Sequence, residues 1–293
     1  MSGSTRDGRG VMRRIPTTQA LFQSVMACIG GLCSLATSAD PCVSLQGDAV
    51  QGGLLWGQAS TAAEIRFAGQ SVPILPGGYF IVGLGRDMPA VNMLLVLGEH
   101  TCQREVTVMQ RKYALQRVTG VPQKTVTPSE EQLARTRAER AQVRAAKSRR
   151  IERADGFEGL REGFSWPVTG PISGVYGSQR IYNGTPGAPH YGVDIARPVG
   201  TPVAAPAAGE VTLAESDLFY SGGTVIIDHG YGLSSSFLHL SQVSVAVGDR
   251  VAAGDVLGAV GATGRATGPH LDWRMSWFNH RIDPQLLVPP MPD

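Results

Sequence analysis

From Cys42 to about Gln116 the apolar residues come in short runs separated by turn formers: Gly52-Gly-Leu-Leu-Trp56, Ala63-Glu-Ile-Arg-Phe67, Tyr79-Phe-Ile-Val82, Val91-Asn-Met-Leu-Leu-Val96 and Glu105-Val-Thr-Val108. Runs of this length bounded by Gly, Pro, Asn and Asp predict the strands of a small β-sandwich. The pattern then changes to a charged stretch with few large apolar residues. Thr127-Pro-Ser-Glu130 places a hydroxyl to accept from a first-turn amide, a proline at the first helical position and a glutamate able to reach back. That is a helix start, and the helix is expected to run to about Arg153 and stop near Gly156. Its many Arg and Lys side chains read as the solvated face of an interdomain spacer, with a patch for an anionic polymer or head group as the alternative.

Beyond the helix the chain returns to strand pattern. Glu210-Val-Thr-Leu213, Thr224-Val-Ile-Ile227, Leu233 to Leu240, Val243 to Val247, Val256 to Val260 and His270 to Trp277 are strand-like, with Gly and Pro at most boundaries. The expected fold class is therefore mainly β. The expected organisation is a leader over 1–39, an N-terminal small β-sandwich-like domain over 40–126, a charged helical linker over 127–160 and a C-terminal β-rich domain over 161–293.

The leader rests on order of composition. Arg13 and Arg14 precede a mainly apolar, small stretch from Ala20 to Ala39 that closes on Ala36-Thr-Ser-Ala39. Positive, apolar, then small is the order of a secretory signal, with cleavage expected after Ala39. Gln23, Ser24 and two glycines interrupt the stretch, which argues against a stable membrane span of about 20 apolar residues; an uncleaved anchor, or a lipoprotein processed at Cys28, is the minor alternative. Cys28 and Cys33 leave with the signal, so an even pair, Cys42 and Cys102, remains for a disulfide in an oxidising compartment.

At 293 residues, 42% hydrophobic, the chain is long enough for two domains and too apolar for general disorder. The formal charge of +2 is carried by the leader, where Arg6, Arg9, Arg13 and Arg14 stand against Asp7. The remainder is near neutral, which gives no case for nucleic acid.

Three segments carry chemistry: His190-Tyr-Gly-Val-Asp194, the His239 of Phe-Leu-His-Leu-Ser, and His270-Leu-Asp272. A catalytic zinc takes three protein ligands and keeps one open position. His190, Asp194 and Asp272 supply such a set, leaving His239 and His270 for proton transfer. Residues two apart on a strand share a face, so His270 and Asp272 enter one groove together. His100, His229 and His280 have no comparable spacing; His280 is a reserve ligand that reads as a loop residue before Asp283-Pro284.

These residues resemble the signature of the lysostaphin and LytM type zinc endopeptidases, which cut peptides of the bacterial cell wall: an HxxxD segment, a later histidine before Leu-Ser, and a closing HxH. The resemblance runs from about Phe164 to Leu287 and includes Gly192-Val-Asp-Ile, Gly200-Thr-Pro-Val-Ala-Ala-Pro, Gly209-Glu-Val and Thr263-Gly-Arg-Ala-Thr-Gly-Pro-His270. It implies a LytM-type groove domain, zinc ligation by His190 and Asp194, and catalysis by His239 and His270. The third ligand departs from the family, because Asp272 stands where the second histidine of HxH belongs.

Carboxylate oxygen binds zinc at about 2.0 to 2.2 Å, so the departure need not abolish binding. It leaves the zinc assembly neutral where two histidines and one aspartate leave one positive charge. A less positive site polarises a carbonyl less. Arg180, Tyr182 and Asn183, just before the first ligand, are candidates for substrate contact.

The function implied is an exported, periplasmic zinc endopeptidase acting on peptidoglycan cross-links, with a regulatory periplasmic protein as a further candidate partner. The alternative is a non-catalytic factor that binds peptidoglycan or activates another hydrolase. A biotinyl or lipoyl carrier, suggested by Val247-Gly-Asp-Arg-Val-Ala-Ala-Gly254, fails because no lysine follows Lys147.

Overall fold

The computed structural model describes residues 43–99, 101–119, 129–149, 160 and 163–292. The expected leader over 1–39, Cys28, Cys33, Cys42, His100 and Thr127 lie outside those residues. The structure is mainly β, as the apolar runs predict.

Two antiparallel sheets form the N-terminal part. Ser44–Gln46, Leu54–Gln58 and Tyr79–Gly83 make one; Gln70–Val72, Ala62–Phe67, Val91–Gly98 and Cys102–Thr107 make the other. Alternation along Val91–Gly98 turns Asn92, Leu94 and Val96 inward while Val91 and Met93 face out. Gly57 lies flat under the Phe80 ring, where any Cβ would clash. Leu115–Val118 then pairs in parallel with Gln179–Tyr182, so the end of this part is stitched to the C-terminal half.

The C-terminal part is built on one large antiparallel sheet. Its order is Arg250–Val251, Gly209–Leu218, Gly222–Gly230, Leu233–Leu240, His270–Trp277, Val193–Ala196 and Ile172–Gly174, with His280–Ile282 also paired to His270–Trp277. A small sheet of Pro202–Ala204, Val256–Ala259 and Gln242–Val243 stands beside it. Leu233–Leu240 and His270–Trp277 have the expected bounds. Gly209–Leu218 and Gly222–Gly230 run longer than their apolar runs, while Val243 to Val247 yields strand only at Gln242–Val243.

The two faces of this sheet differ in chemistry. Leu271, Trp273, Met275 and Trp277 face a core shared with Phe237, Leu233, Ile227, Val225 and Val211. The intervening His270, Asp272, Arg274 and Ser276 face the other way. Cross-strand partners share a face, and Leu213, Ile226, Ser236 and Arg274 are successive partners across four strands. They form one row on the polar side.

The helix lies on that polar face. It spans Glu130–Ser148 (α1), and Val143 and Ala146 pack against Leu213, Leu218 and Ile226. Arg135 donates to Asp217, Glu139 accepts from the Phe219 amide at 3.0 Å, and Lys147 Nζ donates to Ser276 Oγ at 3.3 Å. The helix expected as a spacer is thus docked along one strip, while Arg135, Arg137, Arg140, Arg144 and Arg149 stay exposed, as the solvated-face reading has it. Its N-cap is Ser129, whose hydroxyl accepts from Gln132 N while Gln132 Oε1 accepts from Ser129 N. The capping box therefore sits two residues later than the expected Thr127 start. The helix ends at Ser148 because Arg149 is already extended, at ψ 136°, short of the expected Arg153. Among the described residues no helix is long and apolar enough to cross a membrane.

Candidate metal centre

The site forms where the polar face of His270–Trp277 meets Val193–Ala196. Asp194 and Asp272 are direct cross-strand partners, and His270 is opposite Ala196. Two carboxylates in that relation repel unless a cation lies between or beside them. Gly174 makes room for Asp194, since a Cβ there would collide with its carboxylate.

His190 arrives on a loop clamped by two backbone bonds, His190 N to Ser178 O and Gly177 N to His190 O, each 2.7 Å. One ligand atom from each of His190, Asp194 and Asp272 lies within 4.8 Å of the others. His190 Nε2 and Asp194 Oδ1 are 3.1 Å apart, close enough for an ion pair. Neither atom, though buried, has a hydrogen-bond partner, so the two meet without the alignment a hydrogen bond needs. Lone pairs converging in this way, from a nitrogen and two carboxylates, fit a zinc ion.

Two further histidines border the cluster. His239 Nδ1 lies 2.8 Å from Thr263 O, and His270 Nδ1 lies 2.8 Å from Gly268 O. A carbonyl can only accept, so each ring carries its proton on Nδ1 when neutral, and each Nε2 is left with a lone pair. The rings are 4.9 Å apart, and His270 Nε2 is 3.9 Å from Asp194 Oδ1. Burial lowers the pKa of His239, only partly offset by the Thr263 bond, and this favours the neutral ring. His239 also holds a left-handed backbone, φ 65°, a conformation found at sites whose surroundings over-determine it.

The stretch from Gly261 to Gly268 delivers both rings. Gly261 bridges His270, closing the connection, and Thr263 Oγ1 donates to Leu240 O while accepting from Gly223 N. The Thr263 and Gly268 carbonyls are functional groups that a side-chain reading of the sequence does not show.

Arg274 is the other residue the sequence reading missed. Its Nε lies 2.9 Å from Asp272 Oδ1 and its Nη2 lies 2.5 Å from Oδ2. Asp272 is buried at 2% exposure. Burial pushes its carboxyl pKa up, but the charge and hydrogen bonds of Arg274 outweigh that and hold it below the ordinary range. Strand alternation was the available signal, since Asp272 and Arg274 are two apart.

The remaining candidates sit elsewhere or have local partners. Arg180 donates to Gln116 Oε1 at 3.0 Å on the strand edge that Leu115–Val118 occupies, and Tyr182 ends that strand. Asn183 and Gly184, both at positive φ, form the turn between Gln179–Tyr182 and Thr185–Pro186, the Asn-Gly hairpin pattern. His280 is a strand residue, not a loop one, and it stacks on Trp277 at 5.8 Å, outside the ligand cluster. His229 is buried between Ala208 O and Ser235 Oγ. Cys102 is half-buried at a strand start, and its expected partner Cys42 is outside the described residues. A cavity of about 490 Å³ lies away from the cluster, among Trp56, Tyr79, Leu160 and Phe164.

The model of "Peptidase family M23" matches residues 188–284, a span that holds His190, Asp194, His239, His270 and Asp272. Peptidoglycan DD-endopeptidase ShyA of Vibrio cholerae is 42% identical over 88 residues, 30% of this chain and 20% of the relative. DD-carboxypeptidase/endopeptidase Mpg of Neisseria meningitidis is 40% identical over 104 residues, 36% of this chain and 24% of the relative. The matched segment thus spans about a quarter or less of these curated relatives. Agreement is far broader with a solved Pseudomonas aeruginosa structure assigned to peptidase M23: 32% identity, TM-score 0.62, 81% of this chain and 93% of that one. With both the motif segment and most of the chain accounted for, this protein belongs to peptidase family M23.

Proposed function

We propose that the chain is an exported zinc-dependent endopeptidase that cleaves peptide cross-links of peptidoglycan in the periplasm. The observation that carries the reading is the convergence of His190, Asp194 and Asp272 within 4.8 Å, with His190 Nε2 and Asp194 Oδ1 buried and unbonded. Relatives matching this segment bear endopeptidase names. The Cys42 to Cys102 bridge and processing at Ala39 belong to the same proposal.

His190, Asp194 and Asp272 would hold zinc, which when bound supplies Lewis-acid polarisation of the scissile carbonyl and acidifies water. The chain supplies the proton path. Each of His239 and His270 has its Nδ1 anchored on a carbonyl, so its Nε2 can take a proton from water or return one to the leaving amine. The anchors also fix the ring planes, which orients both groups before substrate arrives. On ring separation alone, either imidazole can serve in either step.

The second reading, a non-catalytic factor, is favoured by one observation: α1 covers part of the site-bearing face. Zinc content and sacculus solubilisation of full-length protein separate the two. Wild type should hold about one zinc and release wall peptides. His239→Ala should keep the zinc and lose activity by about 10²- to 10⁴-fold, the usual contribution of a general acid or base. A wild type that stays zinc-free in excess metal and releases nothing supports the non-catalytic factor.

A further inference from the structure

The structure assigns Asp272 and Arg274 to a single unit: the carboxylate serves as third metal ligand while the guanidinium cancels its charge, so that the pair stands in for one neutral imidazole. The inference rests on the zinc reading above and adds a positioning residue, Arg274, to it.

The geometry supports the assignment in three ways. First, Arg274 takes the carboxylate side-on, with Nε 2.9 Å from Oδ1 and 3.0 Å from Oδ2, and Nη2 2.5 Å from Oδ2. A bidentate grip fixes the carboxylate plane, and Oδ1, which accepts only one of these bonds, still has a lone pair to spare. One carboxylate oxygen counts in the ligand cluster with His190 and Asp194.

Second, the space is built for the pair. Gly192 lies against it, and a Cβ there would come within 2.6 Å of both Arg274 Cγ and Asp272 Oδ1. Two residues before the ligand Asp194, the chain therefore leaves open the volume that the pair fills.

Third, the charges balance only as a set. With zinc, His190, Asp194 and Asp272 give a neutral site, which is the weakness the aspartate introduces. Arg274 returns one positive charge, the value of a site with two histidines and one aspartate. Arg274 also feels the Asp194 charge, and Arg281 is a further guanidinium near it.

A consequence follows that a view of Asp272 as an isolated ligand does not give. Asp272→His, which restores the family's usual residue, should weaken zinc binding here, because it leaves a guanidinium beside the metal with no anion. Arg274→Gln should act in the opposite direction, because two carboxylates then face each other with zinc as their best counter-ion.

The test is zinc affinity by competition with a chromophoric chelator, together with melting temperature with and without zinc. Four full-length proteins are compared: wild type, Asp272→His, Arg274→Gln and the double variant. Expected for Asp272→His is a loss of about tenfold or more, given the strength of breaking a buried ion pair. Arg274→Gln should bind at least as tightly as wild type, with a larger zinc-induced rise in melting temperature. The double variant should return to within about threefold of wild type, since a neutral ligand then has a neutral neighbour.

If both single variants lose affinity, Arg274 merely holds Asp272 in place and the charge argument is overturned. If Asp272→His binds as tightly as the double variant, the two residues are uncoupled and the inference is overturned. Should Asp272→His fail to fold, the sign of the Arg274→Gln shift decides alone. Absence of zinc from all four would overturn the zinc reading itself, whereas zinc in Arg274→Gln but not in wild type would show that the pair excludes the ion.

Discussion

His229 and His239 are both buried, and both place Nδ1 on a backbone carbonyl, yet their second nitrogens differ. The Nε2 of His229 accepts from Ser235 Oγ at 2.7 Å, and its ring meets Phe164 edge-on at 5.4 Å. Both nitrogens are spent on structure. Burial lowers its pKa to about 4, against the ordinary 6.5. The sign is fixed by that direction: between these two values the unfolded chain binds the proton and the folded one does not. Stability from this group is complete above the unfolded value and is lost as pH falls toward the folded one. The shift corresponds to about 3 kcal/mol. Equilibrium urea unfolding of wild type should show stability falling between pH 6.5 and 4, and His229→Gln should flatten that segment of the profile. An unchanged slope in the variant would mean that His229 is protonated in the fold.

The same residues show what the sequence could convey at this scale. Spacing brought His190, Asp194, His239, His270 and Asp272 forward, and the structure gathers them around one point on the sheet. Arg274 was not singled out, although its alternation with Asp272 was legible, because a charged residue in a strand ordinarily faces solvent. The Thr263 and Gly268 carbonyls were not legible at all. Backbone acceptors carry no residue code.

Among the elements, long apolar alternation was the reliable signal and pairing was the hidden one. Leu233–Leu240 and His270–Trp277 could be bounded from their own residues. Val193–Ala196 and Ile172–Gly174 could not, since short strands exist through their partners. α1 illustrates a related limit. Its capping residues predicted a helix, and its Arg135, Arg137, Arg140, Arg144 and Arg149 are exposed as a solvated face; what charge did not show is the narrow seat that Val143 and Ala146 make on Leu213, Leu218 and Ile226. Lys147 is the weak point of that seat. By area the residue is half-buried, but its ammonium end is enclosed, with Ser276 Oγ at 3.3 Å and no carboxylate partner among the described residues. Burial first, then the charges of Arg281 and Arg274, push its pKa well down. Methionine keeps most of the stem and removes the charge. Lys147→Met should therefore stabilise the docked helix by about 1 kcal/mol and raise the melting temperature by about 2–4 °C. Scanning calorimetry checks the midpoint, and a fall would show that the ammonium has a favourable role that Ser276 alone does not provide.

At the scale of the whole molecule, apolar side chains of the N-terminal sheets and of the C-terminal sheet belong to one continuous core. The sequence suggested separate domains because a charged stretch divides the two β patterns, and charge says nothing about contacts made around it. One polar tie across the boundary is Arg111, whose Nη1 donates to Asp283 Oδ2 at 2.7 Å and to Gln51 O at 3.2 Å. Asp283 is 1% exposed, and its amide donates to Gly52 O at 2.8 Å. Its other oxygen accepts from the Gln285 amide at 3.0 Å, and among the described residues no second cation pairs with the carboxylate. Removing Arg111 would strand a buried charge, which typically costs about 3–5 kcal/mol. The exposed pair of Arg66 and Glu64, 52% and 39% accessible, provides a control of similar chemistry. Exposed pairs contribute about 0–1 kcal/mol. Denaturant unfolding should therefore show a large loss for Arg111→Met and almost none for Arg66→Met. A small loss for Arg111→Met would mean that the two halves keep their stability independently, and that the strand pairing of Leu115–Val118 with Gln179–Tyr182 suffices to join them.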